Sequence, residues 1–318
     1  MDERIQRYRA AGLRAVEFQL RYQQPDGAYT WEGFVKDAYH KQPYSWGVAG
    51  FLGNVHRLLN WVKANTLQPD GQLRDYSGDV YKLSWFFQGA HRVGRFDISH
   101  PVMRFLLSCQ ATCGGFPHFA RDERLRVLPS AWVGVSALYF GRADVAKRVA
   151  EWCVSVLDQQ RDEKRFCYCT TRDGKLLTAD VDPKALFVDF TRPGQCYWEI
   201  GLPWMLMGRL YQATGEGKYL DLAKRFFETH LRCYEDAFSF TGSGKSSLAA
   251  AIHYLNTRDE RARDAVCTFC DYLVRTQNAE GSWKVGAAPN PPLLIYIDAA
   301  AEYTVWLQEN AGILASEK

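Results

Sequence analysis

No apolar run in the 318-residue sequence reaches the roughly 18 residues that a membrane-crossing helix needs, so bilayer insertion is not expected. Nor does one sign of charge prevail. The 39 Lys and Arg against 36 Asp and Glu leave +3, spread over both signs, too little to draw nucleic acid or an anionic membrane surface. The chain lacks low-complexity runs, linker-like stretches and any shift of composition, so one domain over residues 1–318 is the expected organisation. Secretory leader features are missing as well, since Met1-Asp2-Glu3-Arg4 is charged and leads straight into a helical pattern. Nine cysteines is an odd number, and Cys153, Cys267 and Cys270 fall in helix-like apolar runs. A reduced, cytoplasmic protein is expected.

Apolar and aromatic residues are abundant, at 47% and 14%, which is ample for a large core. Against that background one turn recurs. Its clearest copy is Gln277-Asn278-Ala279-Glu280-Gly281-Ser282-Trp283, where Gln closes a helix, an acid and a Gly make the turn, and an aromatic follows. Gln24-Pro25-Asp26-Gly27 leads to Tyr29 and Trp31, Gln68-Pro69-Asp70-Gly71 to Tyr76, Gln110 through Gly114-Gly115 to Phe116, and Gln159-Gln160 to Phe166. From Gln24 through Gln68, Gln110 and Gln160 to Gln277 the intervals are 44, 42, 50 and 117 residues, the last long enough for a degenerate copy near Leu231-Arg232-Cys233. A period in the forties denotes an array of helix pairs. Gly supplies the positive φ that ends a helix, and Asp or Asn bonds back to turn amides.

These turns resemble the QW motif of the terpenoid cyclase and prenyltransferase α/α toroids, most closely at Gln277 to Trp283. The resemblance implies an all-α fold, an (α/α)6 toroid of six helical hairpins. Helical periodicity supplies the members. One series runs Arg4–Gln23, Asn54–Ala64, Ile98–Gln110, Ala143–Gln159, Tyr219–Cys233 and Asp259–Thr276. The other, richer in Gly, Ala and aromatics, runs Tyr44–Leu52, Val80–Val93, Ala131–Phe140, Cys196–Tyr211, Gly242–Asn256 and Pro291–Glu309. Residues 161–194 break the pattern. Alternating β-formers around Asp173-Gly174 predict a small β-hairpin insertion there.

In such a toroid the loops that precede the second series gather around a central cavity, which selects the candidate residues. Asp37, Asp79, His118, Asp182, Asp189 and Lys245 are potential neighbours. His118 stands in a Gly-rich loop between aromatics, a good position for a proton carrier. His40 has a similar setting. Asp180-Val181-Asp182 resembles the Asp-x-Asp-Asp acid motif of class II terpene cyclases, with Pro183 where the last Asp would stand. Asp189, flanked by Phe187, Val188 and Phe190, is expected to be buried with a raised pKa, and Glu199 on a buried helix is comparable. Cys167-Tyr168-Cys169 offers Cys169 as a nucleophile or acid, or else is an alternating strand with both Cys on one face. No spacing joins that pair to Cys113, His118 or Cys196 as a zinc site, so no metal and no cofactor are expected. Thr241-Gly242-Ser243-Gly244-Lys245-Ser246 is not a P-loop, because Ser239 stands where the first Gly belongs. It reads as an N-cap by Ser243, or as a helix start able to hold a carboxylate or phosphate with Lys245. Tyr44, Trp46, Tyr81, Trp85, Trp132, Tyr197, Trp198 and Tyr296 are the aromatics available to line a cavity.

The leading expectation is a cofactor-independent cyclase, isomerase or lyase using acid–base chemistry on a small apolar, isoprenoid- or polyketide-like substrate. A set of Asp, Tyr and Cys such as Asp37, Tyr44 and the Cys pair is similar to that of the toroidal linalool dehydratase-isomerases. The alternatives are a carbohydrate-active toroid (glycoside hydrolase, uronate lyase or sugar epimerase) and a non-enzymatic binding toroid. Oligomeric state is not legible in these residues.

Overall fold

A computed structural model describes residues 1–29, 39–76, 78–286 and 291–316. Asp37 and Trp31 lie outside the described residues. The helices are α1 (Asp2–Leu20), α2 (Gln42–Val48), α3 (Leu52–Asn65), α4 (Val80–Arg92), α5 (Phe96–Ser108), α6 (Val127–Tyr139), α7 (Ala143–Asp158), α8 (Trp198–Thr214), α9 (Gly217–His230), α10 (Gly244–Thr257), α11 (Glu260–Thr276) and α12 (Leu293–Ala315). Both predicted series are present. The helices of one bury a single stripe, as α3 does with Val55, Leu58, Leu59 and Val62 at three- and four-residue spacing. Those of the other are covered on nearly all sides: α6 is buried without a break from Val127 to Ala137, and α10 from Gly244 to Tyr254.

The Gln-to-Gly turns are the joints. Gln277 Nε2 donates to Gly281 O at 3.0 Å and to Ala11 O at 2.9 Å, while Arg14 donates to Gln277 Oε1 at 2.6 Å. Gly281 has φ +102°, and a Cβ there would stand 2.4 Å from Arg14 O in α1. Gly114 repeats this, with φ +103° and a Cβ position 2.4 Å from Arg148 O in α7, and Gln110 Nε2 donates to Gly114 O at 2.9 Å. Positive φ and the backbone contact each demand glycine. The expected aromatic cap is Trp283, buried and donating its indole N–H to Leu273 O at 2.8 Å.

The chain divides into two compact units. One comprises Met1–Ser77, Trp85–Phe105 and Cys270–Lys318, the other Gly78–Ser84 and Leu106–Phe269. In the first, α12 packs along α1 and against α2, and α2 against α3. In the second, α8 packs against α6, α7, α9 and α10. Glycines permit close contact there: a Cβ on Gly201 of α8 would fall 2.4 Å from Ser246 Oγ of α10.

The insertion at 161–194 holds short strands. Gly174 has φ +90°, and Thr170 bridges Leu176 across the predicted turn. The ladders run elsewhere, however. Strand β2 (Arg165–Cys167) pairs antiparallel with β4 (Phe187–Asp189), and β3 (Cys169–Thr170) with β1 (Leu125–Arg126). Because both faces are covered, Phe166 to Thr170 are all buried, and the expected alternation of one inward face is not found. Gln159 spans this insertion, donating to Gly174 O at 3.0 Å and accepting the Leu176 N–H at 2.9 Å.

Candidate functional site

The main cluster belongs to the second unit and forms where four helices begin. Asp79 precedes α4 and caps it, Oδ1 accepting the Lys82 N–H at 3.0 Å. The loop carrying His118 is stitched to the same point, because Asp79 bridges Phe119 and the Val80 N–H donates to His118 O at 2.9 Å. That stitching fixes the His118 imidazole against Tyr81, with centroids 6.2 Å apart and stacked, and edge-on to Phe119 at 4.8 Å. Its Nδ1 is buried without a hydrogen-bond partner. Burial lowers the His118 pKa from its ordinary value; Asp79 opposes the shift and Arg126 adds to it.

Arg126 stands at the start of α6 and Glu199 in the first turn of α8. Glu199 is wholly buried, and Oε1 accepts Arg126 Nε at 2.8 Å and a second guanidinium nitrogen at 2.6 Å. Oε2 accepts the Leu128 N–H at 2.8 Å, so the carboxylate also closes the open end of α6. Burial raises the Glu199 pKa while Arg126 holds it back. The guanidinium lies 5.2 Å from the centre of the Tyr168 ring. Lys245, the second residue of α10, is 5% exposed, and its ammonium is 5.8 Å from the Tyr81 ring centre and 5.9 Å from that of Trp198. Asp79, Tyr81, His118, Arg126, Trp198, Glu199 and Lys245 thus form one connected set.

Other candidates of this unit stand apart from that chemistry. Asp189 is not raised: the Thr191 hydroxyl and backbone N–H, donating at 2.7 and 2.9 Å, lower its pKa. Its apolar neighbours suggested burial, but β4 ends there and Asp189 caps its own turn. Asp182 is ion-paired with Arg124 at 2.8 Å. Burial, with Glu199 adding, pushes the Cys169 thiol up to about 12, so at neutral pH it is no thiolate nucleophile. Tyr197 packs on His230 and Phe240 and donates its hydroxyl to Asp236, a structural role where cavity lining was expected. Ser243 is the N-cap residue of α10, yet its hydroxyl makes no capping bond.

The first unit holds a second polar set. Lys41 Nζ, its side chain 6% exposed, reaches Asp298 at 2.7 Å and Glu302 at 2.6 Å, one turn apart on α12. His40 Nε2 is 3.6 Å from Asp298. Tyr44 donates to Glu309 at 2.7 Å beneath the Arg92 guanidinium, and Trp85 lies against Tyr44 and Trp306. Tyr296 is half-buried in the first turn of α12. Arg126, Tyr168, Lys41, Asp298, Glu302 and Glu309 were not anticipated. The acids of α12 carried a signal, since three carboxylates in an Ala-rich apolar helix are out of place unless partnered. Among the described residues no group of His, Cys, Asp and Glu is arranged to hold a metal ion, and no helix is long and apolar enough to cross a membrane.

No protein-family model and no curated protein sequence matches the chain. Solved structures do. D-mannose isomerase superposes with a TM-score of 0.69 at 14% identity, over 94% of this chain and 96% of that one. An alpha-1,6-mannanase of Salegentibacter gives 0.66 at 14% identity, over 96% and 99%. A type II terpene cyclase of Scytonema, in complex with merosterolic acid A, gives 0.64 at 13% identity, over 98% and 99%. At such identities the likeness speaks for fold and not for chemistry. The chain shares with these sugar and terpenoid enzymes the all-α (α/α)6 toroid fold that its turns imply.

Proposed function

We propose that this chain is an enzyme that moves protons on a small hydroxylated substrate, in a sugar-type isomerisation or epimerisation, with His118 as the proton carrier. The observation that carries the reading is the setting of that imidazole: Nδ1 buried and unpartnered, the ring held on Tyr81, the basic form favoured by burial. A neutral imidazole can take a proton from a carbon beside a carbonyl while the electron pair passes to the carbonyl oxygen; in isomerisation the hydroxyl proton then passes to that oxygen and the carbon proton returns to the former carbonyl carbon, and in epimerisation it returns to the other face of the same carbon. Charged groups (Asp79, Arg126, Asp122 and Lys82) act on the ring, which suits a hydroxylated substrate better than a hydrocarbon. The likeness to a mannose isomerase and a mannanase points the same way.

Acid-initiated cyclisation of an isoprenoid is the second reading, favoured by the faces of Tyr81 and Trp198 and by the terpene cyclase likeness. It needs a protonated acid free to donate, whereas the Asp182 carboxyl is ion-paired with Arg124 and the Asp189 pKa is lowered. The test is incubation with aldoses, ketoses and uronates in deuterium oxide, with NMR following loss of the proton beside the carbonyl. His118→Asn should slow exchange by about 10²- to 10⁴-fold and leave the helical circular dichroism intact. No exchange across that panel, with cyclised product released from isoprenoids, overturns the reading.

A further inference from the structure

We infer that the insertion at 161–194 is a brace for the loop that carries His118, with Arg172 and Arg124 as its positioning residues. The inference deepens the reading above and rests on it for what the braced imidazole does. The loop needs a hold from outside itself. Phe119, whose ring stands edge-on to His118, is 40% exposed, so apolar packing does not seat it. Its backbone is set by the turn from Phe119 to Asp122, where the Phe119 N–H donates to Asp122 Oδ2 at 2.9 Å and the Asp122 N–H to Phe119 O at 2.8 Å. The acid that closes this turn is also one of the charges acting on the imidazole, together with Asp79, Lys82 and Arg126.

Two arginines tie the loop to the insertion, one reaching each way. Arg172, in the turn that follows β3, donates to Asp122 O at 2.8 Å and to Ala120 O at 3.4 Å, and stands 3.7 Å from Glu123. Arg124, from the loop, meets the Asp182 carboxylate at 2.8 Å and donates to Lys184 O at 3.2 Å. Both anchors are themselves held. Around Arg172 the Thr171 N–H donates to Lys175 O at 2.9 Å and the Gly174 N–H to Thr171 O at 3.0 Å, and the Cys113 thiol donates to Arg172 O at 3.3 Å. Asp182 accepts the Lys184 N–H at 2.9 Å and donates its own N–H to Thr178 O at 2.9 Å. The β1–β3 ladder makes a third tie, at Leu125 and Arg126. Each of the two arginine side chains is 42% exposed, so one such bond is weak by itself. Together they fix where the turn can lie, and a displacement of about 1 Å at a catalytic group is enough to slow a reaction by about 10²-fold.

The test reads His118 directly, by NMR titration of the full chain with isotope-labelled histidine, the His118 ring signals being those lost in His118→Asn. Arg172→Gln, and more so the double variant Arg124→Gln/Arg172→Gln, should free the ring from its buried setting. Its pKa should then climb toward the ordinary value of about 6.5, by about 0.5 or more in the double variant. In the same variants kcat for proton exchange should fall about tenfold with KM held within about twofold, and Arg172→Lys should keep part of the rate. Arg232→Gln is the control. Its guanidinium also donates to a carbonyl of the insertion, Glu163 O, and packs on Phe190, neither of them in the His118 loop, so imidazole and rate should stay as in wild type. Ring signals of the folded double variant that titrate as in wild type overturn the brace, whatever happens to the rate. Should circular dichroism show that the double variant does not fold, the same outcome in Arg172→Gln overturns it. An equal shift in Arg232→Gln does so too, because it marks a general loosening of the insertion. Shifted ring signals in a chain that exchanges no proton on any sugar would spare the brace and sink the proposed function. Exchange in wild type and variants alike, with an unmoved ring, would do the reverse.

Discussion

Replacing Arg126 by Met removes a cation from a carboxylate that has no access to water. Glu199 is 0% exposed and accepts three N–H bonds, two from Arg126 and one from Leu128. The variant keeps only the last. Breaking a buried pair by deleting one partner costs about 3–5 kcal/mol, a large share of a typical total of about 5–15 kcal/mol. The lower end applies here, because the Arg126 side chain is 22% exposed and the pair is partly solvated. The effect should depend on pH in a definite sense. Burial already raises the Glu199 pKa, and Arg126 is the main force holding it down. Without Arg126 the folded pKa rises further, so the folded chain binds a proton that the unfolded chain releases. Stability is then greatest below the ordinary carboxyl value and falls as pH climbs through the raised one, by up to about 1.4 kcal/mol per pH unit. Adding Glu199→Gln removes the charge and should restore part of the loss at neutral pH. Urea unfolding followed by circular dichroism from mildly acid to neutral pH provides the measurement. A loss under about 1 kcal/mol at neutral pH, the value of an exposed pair, or a deficit that ignores pH, would refute the reasoning.

Two further substitutions probe the frame. His230 is buried among Tyr197, Trp204 and Phe238, and burial pushes its pKa down to about 3. The unfolded chain therefore takes up the proton first, and stability present above about 6.5 is lost as pH falls from there, by up to about 1.4 kcal/mol per pH unit. His230→Phe should flatten that acid limb in part, since His253, pushed down to about 4, titrates over the same range; acid sensitivity equal to wild type would exclude His230 as a source. Gly114→Ala should cost more than about 1 kcal/mol, whereas Gly217→Ala, with nothing within 4 Å of its Cβ position, should gain about 0.4–1 kcal/mol. Thermal unfolding that moves both variants alike would contradict the stated need for glycine in the turn.

Much of the helical frame was legible because its signals are local. A Gln, an acid and a Gly within five residues specify where a helix must stop, and their spacing gives the length of each pair. The contacts that turn the frame into a site are not local. Arg126 and Glu199 are 73 residues apart, and Lys41 and Asp298 are 257 apart, so no window of sequence contains either pair. Asp189 was misread for a related reason. Apolar flanks measure the burial of a strand, but only the register of β4 against β2 tells whether the acid sits within the sheet or at its end, where Thr191 can reach it. His118, Asp79 and Glu199 were selected as residues preceding or opening the buried helices, and they do mark the cluster.

The position of these charges has a physical origin. A helix covered on every side cannot carry an ionised group at its middle without a partner, so charge is pressed toward its ends. At the N-terminal end the dipole favours acids, and Asp79 at α4 and Glu199 at α8 obey this. Arg126 at α6 and Lys245 at α10 go against it, each opposing its own helix dipole by about 0.3–1 kcal/mol. For Arg126 the offset is visible in the Glu199 carboxylate, which binds the guanidinium and the end of α6 together. For Lys245 the faces of Tyr81 and Trp198 supply part of it. On this argument Lys245→Met removes a charge that its own helix start opposes and should be tolerated better than Arg126→Met, which strands Glu199 as well; urea unfolding in which the lysine variant loses as much stability as the arginine variant would refute it.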